Sequence, residues 1–228
     1  MSQPRRSQMA EDYLKLIWKS QEWDNESIST NEIAAALGVG APTVSGNLNK
    51  LSRDGLLDYE PYGPIRLSER GREVAVQMVR RHRIIETYLV ERYGYGWDEV
   101  HDEAEVLEHA ISARLLSLWD DELGNPERDP HGDPIPRADG SLPLTSTQRL
   151  QDAEVGRSCV VVRVSDHDGA LLRYLDSLGI TVGTTLRVDA VREYAGTVSV
   201  TVEDAEPTRC ELSLATGNAI RVRAADPS

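Results

Sequence analysis

The spacing of apolar residues divides the chain into a helical first half and a β-rich final third. Over residues 9–22, Met9, Tyr13, Leu16, Ile17 and Ser20 fall on one side of a helix, with Asp12 beside them. Ser29-Thr30-Asn31-Glu32 has the form of a capping box, in which the Ser caps the helix start and the Glu reaches back. The helix it opens carries Ile33, Ala34 and Leu37 and stops at Gly38. Pro42 suits a first helical position, and the next helix runs to Arg53 with Val44, Leu48 and Leu51 buried. Two short helices around a Gly-containing turn predict a helix-turn-helix. Leu56-Leu57-Asp58-Tyr59 and Ile65-Arg66-Leu67 flank Pro61-Tyr62-Gly63-Pro64, which adds the hairpin wing of a winged helix. Ser68 then caps a long helix through about Arg92, striped by Val76, Val79, Ile84, Ile85, Tyr88 and Leu89. A further single helix is predicted from about Asp98 to Leu123, with Leu107, Ile111, Leu115 and Leu118 as its buried stripe.

The texture then changes. Residues 124–148 are rich in Pro and Gly and read as a linker, although Asp129 and His131 place metal-capable side chains on its stiffened backbone. From about Arg149 the chain turns to short β runs, Cys159–Val164, Thr185–Val188, Val198–Val202 and Ala219–Val222, interrupted by one helix from Gly169 to Leu178. The expected fold is a multidomain α+β chain. Residues 1–75 form a winged helix-turn-helix domain, 76–148 an all-α domain with the Pro-rich linker, and 149–228 a small all-β barrel. The two long striped helices exceed what a winged helix needs and predict a homodimer interface, as a reader of paired DNA half-sites requires.

Composition adjusts this picture in one respect. The formal net charge of -13 argues at first against a nucleic-acid partner. Yet residues 1–75 carry 9 basic and 11 acidic groups, 76–140 carry 7 and 15, and 141–228 carry 9 and 12. The acid is concentrated in the middle, and the segment with the helix-turn-helix is nearly neutral. No apolar run is long enough to span a bilayer, and Arg5-Arg6 is not followed by an apolar stretch, so a cytoplasmic protein is expected. Cys159 and Cys210 stand alone and are expected to be reduced packing residues.

The acidic middle also carries the chemistry. On one helix, His101, Glu105, Glu108 and His109 would fall within an arc of about 100° while Glu103 points away. A solvated acidic face is the plain reading. Imidazoles bracketing carboxylates at the border of a buried stripe favour a divalent metal site instead. His82 and Glu86 stand one turn apart on the preceding helix. A di-metal carboxylate enzyme is the rival from another class. However, a di-iron bundle uses Glu-x-x-His on two helices and an inverted zinc-protease motif uses His-x-x-Glu-His, and neither spacing is present.

Taken together, helix-turn-helix, wing, Arg81-His82-Arg83 with Glu86, Val100-His101-Asp102-Glu103-Ala104 with Glu108-His109, and Asp129-Pro130-His131-Gly132-Asp133-Pro134-Ile135-Pro136 resemble the diphtheria toxin repressor family of metal-dependent transcription factors. The likeness is to its manganese transport regulator branch and spans nearly the whole chain. Its tail is similar to a Src-homology-3-like domain of the ferrous-iron-transport-A type. The resemblance implies a metal-activated homodimeric repressor of metal-uptake genes on a palindromic DNA operator. The primary site would be Asp12, Glu105, Glu108 and His109. The secondary site would be His82, Glu86, His101, Asp129, His131 and a barrel carboxylate, taken as Asp168 with Asp166 as the alternative. Asp12 and Glu105 stand where the iron branch has Met and Cys, and hard oxygen donors suit Mn2+. Fe2+ remains the alternative effector. Lys15 stands where two-domain manganese regulators have a Glu, and Gly46 where iron-sensing relatives have a Gln. On the recognition helix, Pro42, Thr43, Ser45, Asn47, Lys50 and Arg53 would meet DNA, with Thr43, Ser45, Lys50 and Arg53 on phosphates and Pro42 on a thymine methyl.

Overall fold

Periodicity places the first helices where they form. In the computed structural model, which describes residues 7–24, 27–60, 63–143, 146–203 and 206–225, α1 spans Gln8–Asp24, α2 Thr30–Ala36 and α3 Ala41–Arg53. Arg5, Arg6, Pro61 and Tyr62 lie outside the described residues. The capping box forms as expected: Ser29 accepts from the Glu32 amide at 3.2 Å, and Glu32 accepts from the Ser29 amide at 2.7 Å. Pro42 sits in the first turn of α3, where a missing amide hydrogen removes no helical bond. Tyr13, Leu14, Ile17, Trp18, Ile33, Val44, Leu48 and Leu51 are buried. Fully burying a side chain of this size stabilises by roughly 1.5–3 kcal/mol, so this cluster makes the helix-turn-helix a folded unit. The wing is minimal: β1 (Leu57–Asp58) pairs antiparallel with β2 (Arg66–Leu67), Leu57 opposite Leu67.

Two compact units emerge. One comprises the described residues of Met1–His82 and Pro136–Ser141, the other those of Arg83–Ile135 and Leu142–Ser228. The helix α4 (Glu69–Tyr93) contributes residues to both. In the first unit its start is fastened to the α3–β1 corner: Ser68 Oγ donates to the Gly55 carbonyl at 2.8 Å. A Cβ at Gly71 would lie 1.9 Å from the Leu56 carbonyl oxygen, so only glycine permits this approach.

In the second unit, Ile84, Ile85 and Leu89 of α4 form a core with Val100, Ala104, Leu116 and Ile135. The single helix expected from Asp98 to Leu123 is in fact two, α5 (Val100–Leu107) and α6 (Ala113–Glu122). The break has a local cause. Ser112 adopts an extended backbone and its side chain accepts from the Leu115 amide, capping a new helix. The break also corrects the predicted stripe. Leu107 and Ile111 pack against the core, while Leu115 and Leu118 are 41% and 55% exposed.

The last third contains α7 (Gly169–Ser177), α8 (Leu214–Asn218) and a six-stranded antiparallel sheet. Its strands are β3 (Gln148–Arg149), β4 (Ser158–Val164), β5 (Thr185–Arg192), β6 (Thr197–Val202), β7 (Thr208–Ser213) and β8 (Ile220–Ala224), in the order β3-β8-β4-β5-β6-β7. Among the described residues no pairing joins β7 to β3, so the sheet is open rather than a closed barrel. Its core includes Val161, Val164, Leu186, Val188, Val198, Val200, Ile220 and both cysteines. Burial pushes the Cys159 thiol up to about 11, consistent with an inert packing residue. No helix among the described residues is long and apolar enough to cross a membrane.

The segment expected to be a linker is a built loop. Arg128 bridges Pro134, and Asp129, His131, Asp133 and Ile135 are all buried. Gly132 turns through φ +83°, and a Cβ there would lie 2.0 Å from the Val162 carbonyl oxygen. Gly132→Ala is therefore expected to destabilise by more than about 3 kcal/mol, read as a shifted denaturation midpoint; a change below about 0.5 kcal/mol would contradict the close approach.

Candidate metal centre

Four elements of the second unit bring a donor each to one place. Glu86 comes from α4, His101 from the first turn of α5, His131 from the built loop and Asp166 from the residues after β4. The loop aims His131 through a backbone device. Asp129 Oδ1 accepts from the amides of His131 and Asp133, both at 2.9 Å, which tightens the turn around Gly132. The Arg128 guanidinium donates to the Gly132 carbonyl, and the His131 carbonyl accepts from the Val164 amide of β4. Ile135 anchors the loop's far end in the helical core.

The donor atoms stand close enough together that they could hold a metal ion. His101 Nδ1 lies 3.3 Å from Glu86 Oε1 and 3.3 Å from Asp166 Oδ2. Glu86, His101 and Asp166 offer ligand atoms within 4.8 Å of one another, as do Glu86, Asp129 and His131. Glu86 thus belongs to both groups and is itself fully buried. His131 supplies the test of fit. Its Nε2 is 2.6 Å from the Trp97 carbonyl, which can only accept, so Nε2 carries the proton. Its Nδ1 is buried without a hydrogen-bond partner, 3.8 Å from Glu86 Oε2. A lone pair facing a carboxylate calls for a cation between them, and a carbonyl behind the ring is the usual support of a metal-binding imidazole. Burial pulls the His131 pKa down, but Glu86, Asp129, Asp166 and the Trp97 carbonyl together raise it. Burial first, then Asp133 and Glu86, push the Asp129 carboxyl well above its ordinary value. The rise at His131 reflects the carboxylates around it, whereas that at Asp129 is due first to burial.

The remaining predicted donors are distributed as follows. Glu108 is buried at the end of α5, and its Oε1 lies 3.5 Å from His109 Nε2. Glu105 is half-exposed, its Oε1 3.5 Å from His101 Nε2. His101 therefore faces Glu86 and Asp166 with one nitrogen and Glu105 with the other. Asp12 lies half-buried on α1, and His82 is buried on α4 one turn before Glu86, both in the first unit. The two candidate carboxylates of the sheet domain differ in place: Asp168 is exposed, and its Oδ1 accepts from the Ala170 amide at 2.8 Å as the N-cap of α7. Asp166, two residues earlier and 4% exposed, faces His101 instead. On α3, Pro42, Thr43, Lys50 and Arg53 are exposed and Ser45 is half-buried. Asn47 donates to the Tyr13 hydroxyl at 3.0 Å, which ties its side chain to α1.

Sequence reasoning missed four contributors. Asp133 accepts from Arg83 at 2.7 Å and from Arg163, all three buried. Burial would raise the Asp133 carboxyl, but Arg83 and Arg163 hold it below its ordinary value. An arginine inside an otherwise apolar strand was the available signal for Arg163. Trp97 acts through its carbonyl, which no side-chain pattern announces.

Three family models match successive parts of the chain. Residues 7–65 match "Iron dependent repressor, N-terminal DNA binding domain", 68–137 match "Iron dependent repressor, metal binding and dimerisation domain", and 148–224 match "FeoA domain". The iron-dependent repressor IdeR of Mycobacterium bovis is 36% identical over 126 residues, 55% of this chain but only 54% of that relative. The diphtheria toxin repressor of Corynebacterium efficiens is 31% identical over 80% of this chain and 83% of its own length. A solved structure of a manganese-dependent transcriptional repressor in complex with manganese is 47% identical, covers 95% of this chain and 100% of its own, and superposes with a TM-score of 0.91.

The placement of Asp166 and Asp168 separates their roles. Asp168→Ala is expected to cost about 1 kcal/mol of stability as a lost cap and to leave manganese stoichiometry intact in a calorimetric titration. Asp166→Ala is expected to weaken metal binding in the same titration; the reverse pattern would contradict the geometry.

Proposed function

Because this chain belongs to the iron-dependent repressor family of transcriptional regulators, the family of the diphtheria toxin repressor, we propose that it is a manganese-activated repressor. It acts as a homodimer on a palindromic operator in the cytoplasm and controls metal uptake. The matched relatives are transcriptional repressors, which sets aside a di-metal enzyme. The observation that carries the choice of metal is the chemistry of the donors. The clustered candidate donors are all carboxylates and imidazoles, while both cysteines sit in the core of the sheet domain. Oxygen and imidazole donors suit manganese, and a missing thiolate removes the preference for softer ions.

The primary centre in this proposal is Asp12 with Glu105, Glu108 and His109, and the secondary is His82, Glu86, His101, His131 and Asp166, with Asp129 steadying its loop. Three carboxylates and a neutral imidazole at the primary centre exceed the charge of one divalent ion. In its absence Asp12 approaches Glu105 and Glu108 only against repulsion, and two unit charges about 4 Å apart interact by roughly 4 kcal/mol at an effective dielectric near 20. A bound divalent ion supplies the opposing charge. Asp12 would then hold α1 in the arrangement that sets the spacing of two recognition helices, so the ion is an allosteric effector favouring one state. Leu115 and Leu118, exposed on α6, support a dimer face. Thr43, Ser45, Lys50 and Arg53 would bind phosphates and Pro42 a base methyl.

Three outcomes are expected. In a gel-shift assay on the duplex upstream of its own coding region, manganese should produce a complex that a chelator abolishes; equal binding in both would sink the proposal. Asp12→Met with Glu105→Cys should move activation from manganese towards iron or cobalt, seen as a changed order of activation curves. Arg53→Ala should weaken binding to all sequences alike and lower the salt dependence by about one ion; a loss confined to one base position would contradict a phosphate role.

A further inference from the structure

Three charged residues outside the donor set stand beside it in a repeating relation. Arg83 on α4 is three positions before Glu86, Asp133 on the loop is two after His131, and Arg163 on β4 is three before Asp166. Asp133 joins them: its Oδ2 accepts from Arg83 Nη2 at 2.7 Å, and its Oδ1 accepts from Arg163 Nε. Each of the three is 8% exposed or less. The strand itself is shaped for this contact. The β4–β8 register shifts between Val161 and Arg163, and Val161 and Val164 both enter the sheet core. The bulge changes the phase of the alternation, so Val164 takes the core position and Arg163 turns to the loop. Arg83 also donates to the Pro134 carbonyl at 2.7 Å, and Gly132 admits the loop against Val162.

We infer that Arg83, Asp133 and Arg163 form a charge clasp of positioning residues that sets the spacing of Glu86, His131 and Asp166 before any ion arrives. The inference rests on the secondary centre proposed above and adds how it is assembled. Two clasp residues lie on the donor-bearing α4 and loop, and the third lies on β4 three residues before Asp166, so the distance across the clasp bears on the distance across the donors. The sheet domain is then docked on the helices by the clasp itself, and a metal ion enters a preformed cage. A buried ionic group of this kind is weak evidence for stability, because apolar replacement of the whole group is often neutral while removing one partner is strongly destabilising. That asymmetry supplies a control for the positioning role.

The test compares the full-length wild type, Asp133→Asn, and the charge-balanced pair Asp133→Leu with Arg163→Met, which leaves Arg83 facing Asp129 and Pro134. Each is titrated with manganese by calorimetry, and hydrogen exchange of residues 158–164 is followed in chelator. In the wild type β4 should be protected without metal, and two ions should bind per protomer. Asp133→Asn should increase β4 exchange in chelator and weaken the second ion at least tenfold, leaving the first unchanged. The balanced pair should recover much of the thermal stability lost in Asp133→Asn without recovering the affinity for the second ion. Wild-type affinity in the balanced pair, or unchanged β4 exchange in Asp133→Asn, would overturn the clasp. A wild type that binds one ion only would overturn the secondary centre, and the clasp's role towards it, and is distinguishable because it appears before any substitution.

Discussion

A carboxylate buried in a helical core sets the terms for everything around it. Glu86 is fully buried on α4, where an ionised carboxylate without compensation is expensive by several kcal/mol. The surrounding elements answer that demand. Two imidazoles from α5 and the loop point a nitrogen at it, and the ring of His131 is oriented by a carbonyl so that the facing nitrogen is the basic one. With Asp129 and Asp166 close by, the pocket remains richer in negative than positive charge. The same imbalance that would unsettle a purely structural core is what a divalent ion requires. In the proposed metal centre the cost of burial and the capacity to respond to metal would be one property.

Legibility in the sequence followed periodicity. The helix-turn-helix was readable because Ser29, Gly38, Pro42 and the Val44–Leu48–Leu51 spacing each specify local geometry. The candidate donors His101, Glu108 and His109 stood out as residue types, but not the turn that carries two of them. An unbroken helical pattern hid the cap at Ser112, because a capping serine in the middle of a helix looks like any polar position. The loop was harder. Pro and Gly over residues 124–148 mimic a tether, and its rigidity comes from Asp129 bonding backbone amides and from arginines distant in sequence. Asp166 and Asp168 differ by two positions, and only the register of β4 and the cap of α7 decide between them. The strand β7 escaped notice because Arg209 and Glu211 alternate with its buried Cys210 and Leu212.

Acidic composition and DNA recognition are compatible here because the charge is unevenly spread. The acid accumulates where the proposed ion sites lie, and part of it is already matched by internal arginines. Binding of divalent cations would lower the net negative charge of the protomer, which reduces long-range repulsion from a phosphate backbone. The effector would thus help association electrostatically, apart from any change in shape.

The strand order has a consequence for how such a chain can be assembled from parts. The first strand of the sheet domain, β3, pairs with the last, β8, so the chain enters and leaves this domain side by side. Adjacent ends are the hallmark of a module that can be inserted or removed with little disturbance to its host. What makes the domain more than a passenger here is a short stretch of its surface, from Val162 to Asp166, shaped to receive one loop. A transplanted copy of this domain would keep its surface contact with the rest of the chain only if that loop travelled with it.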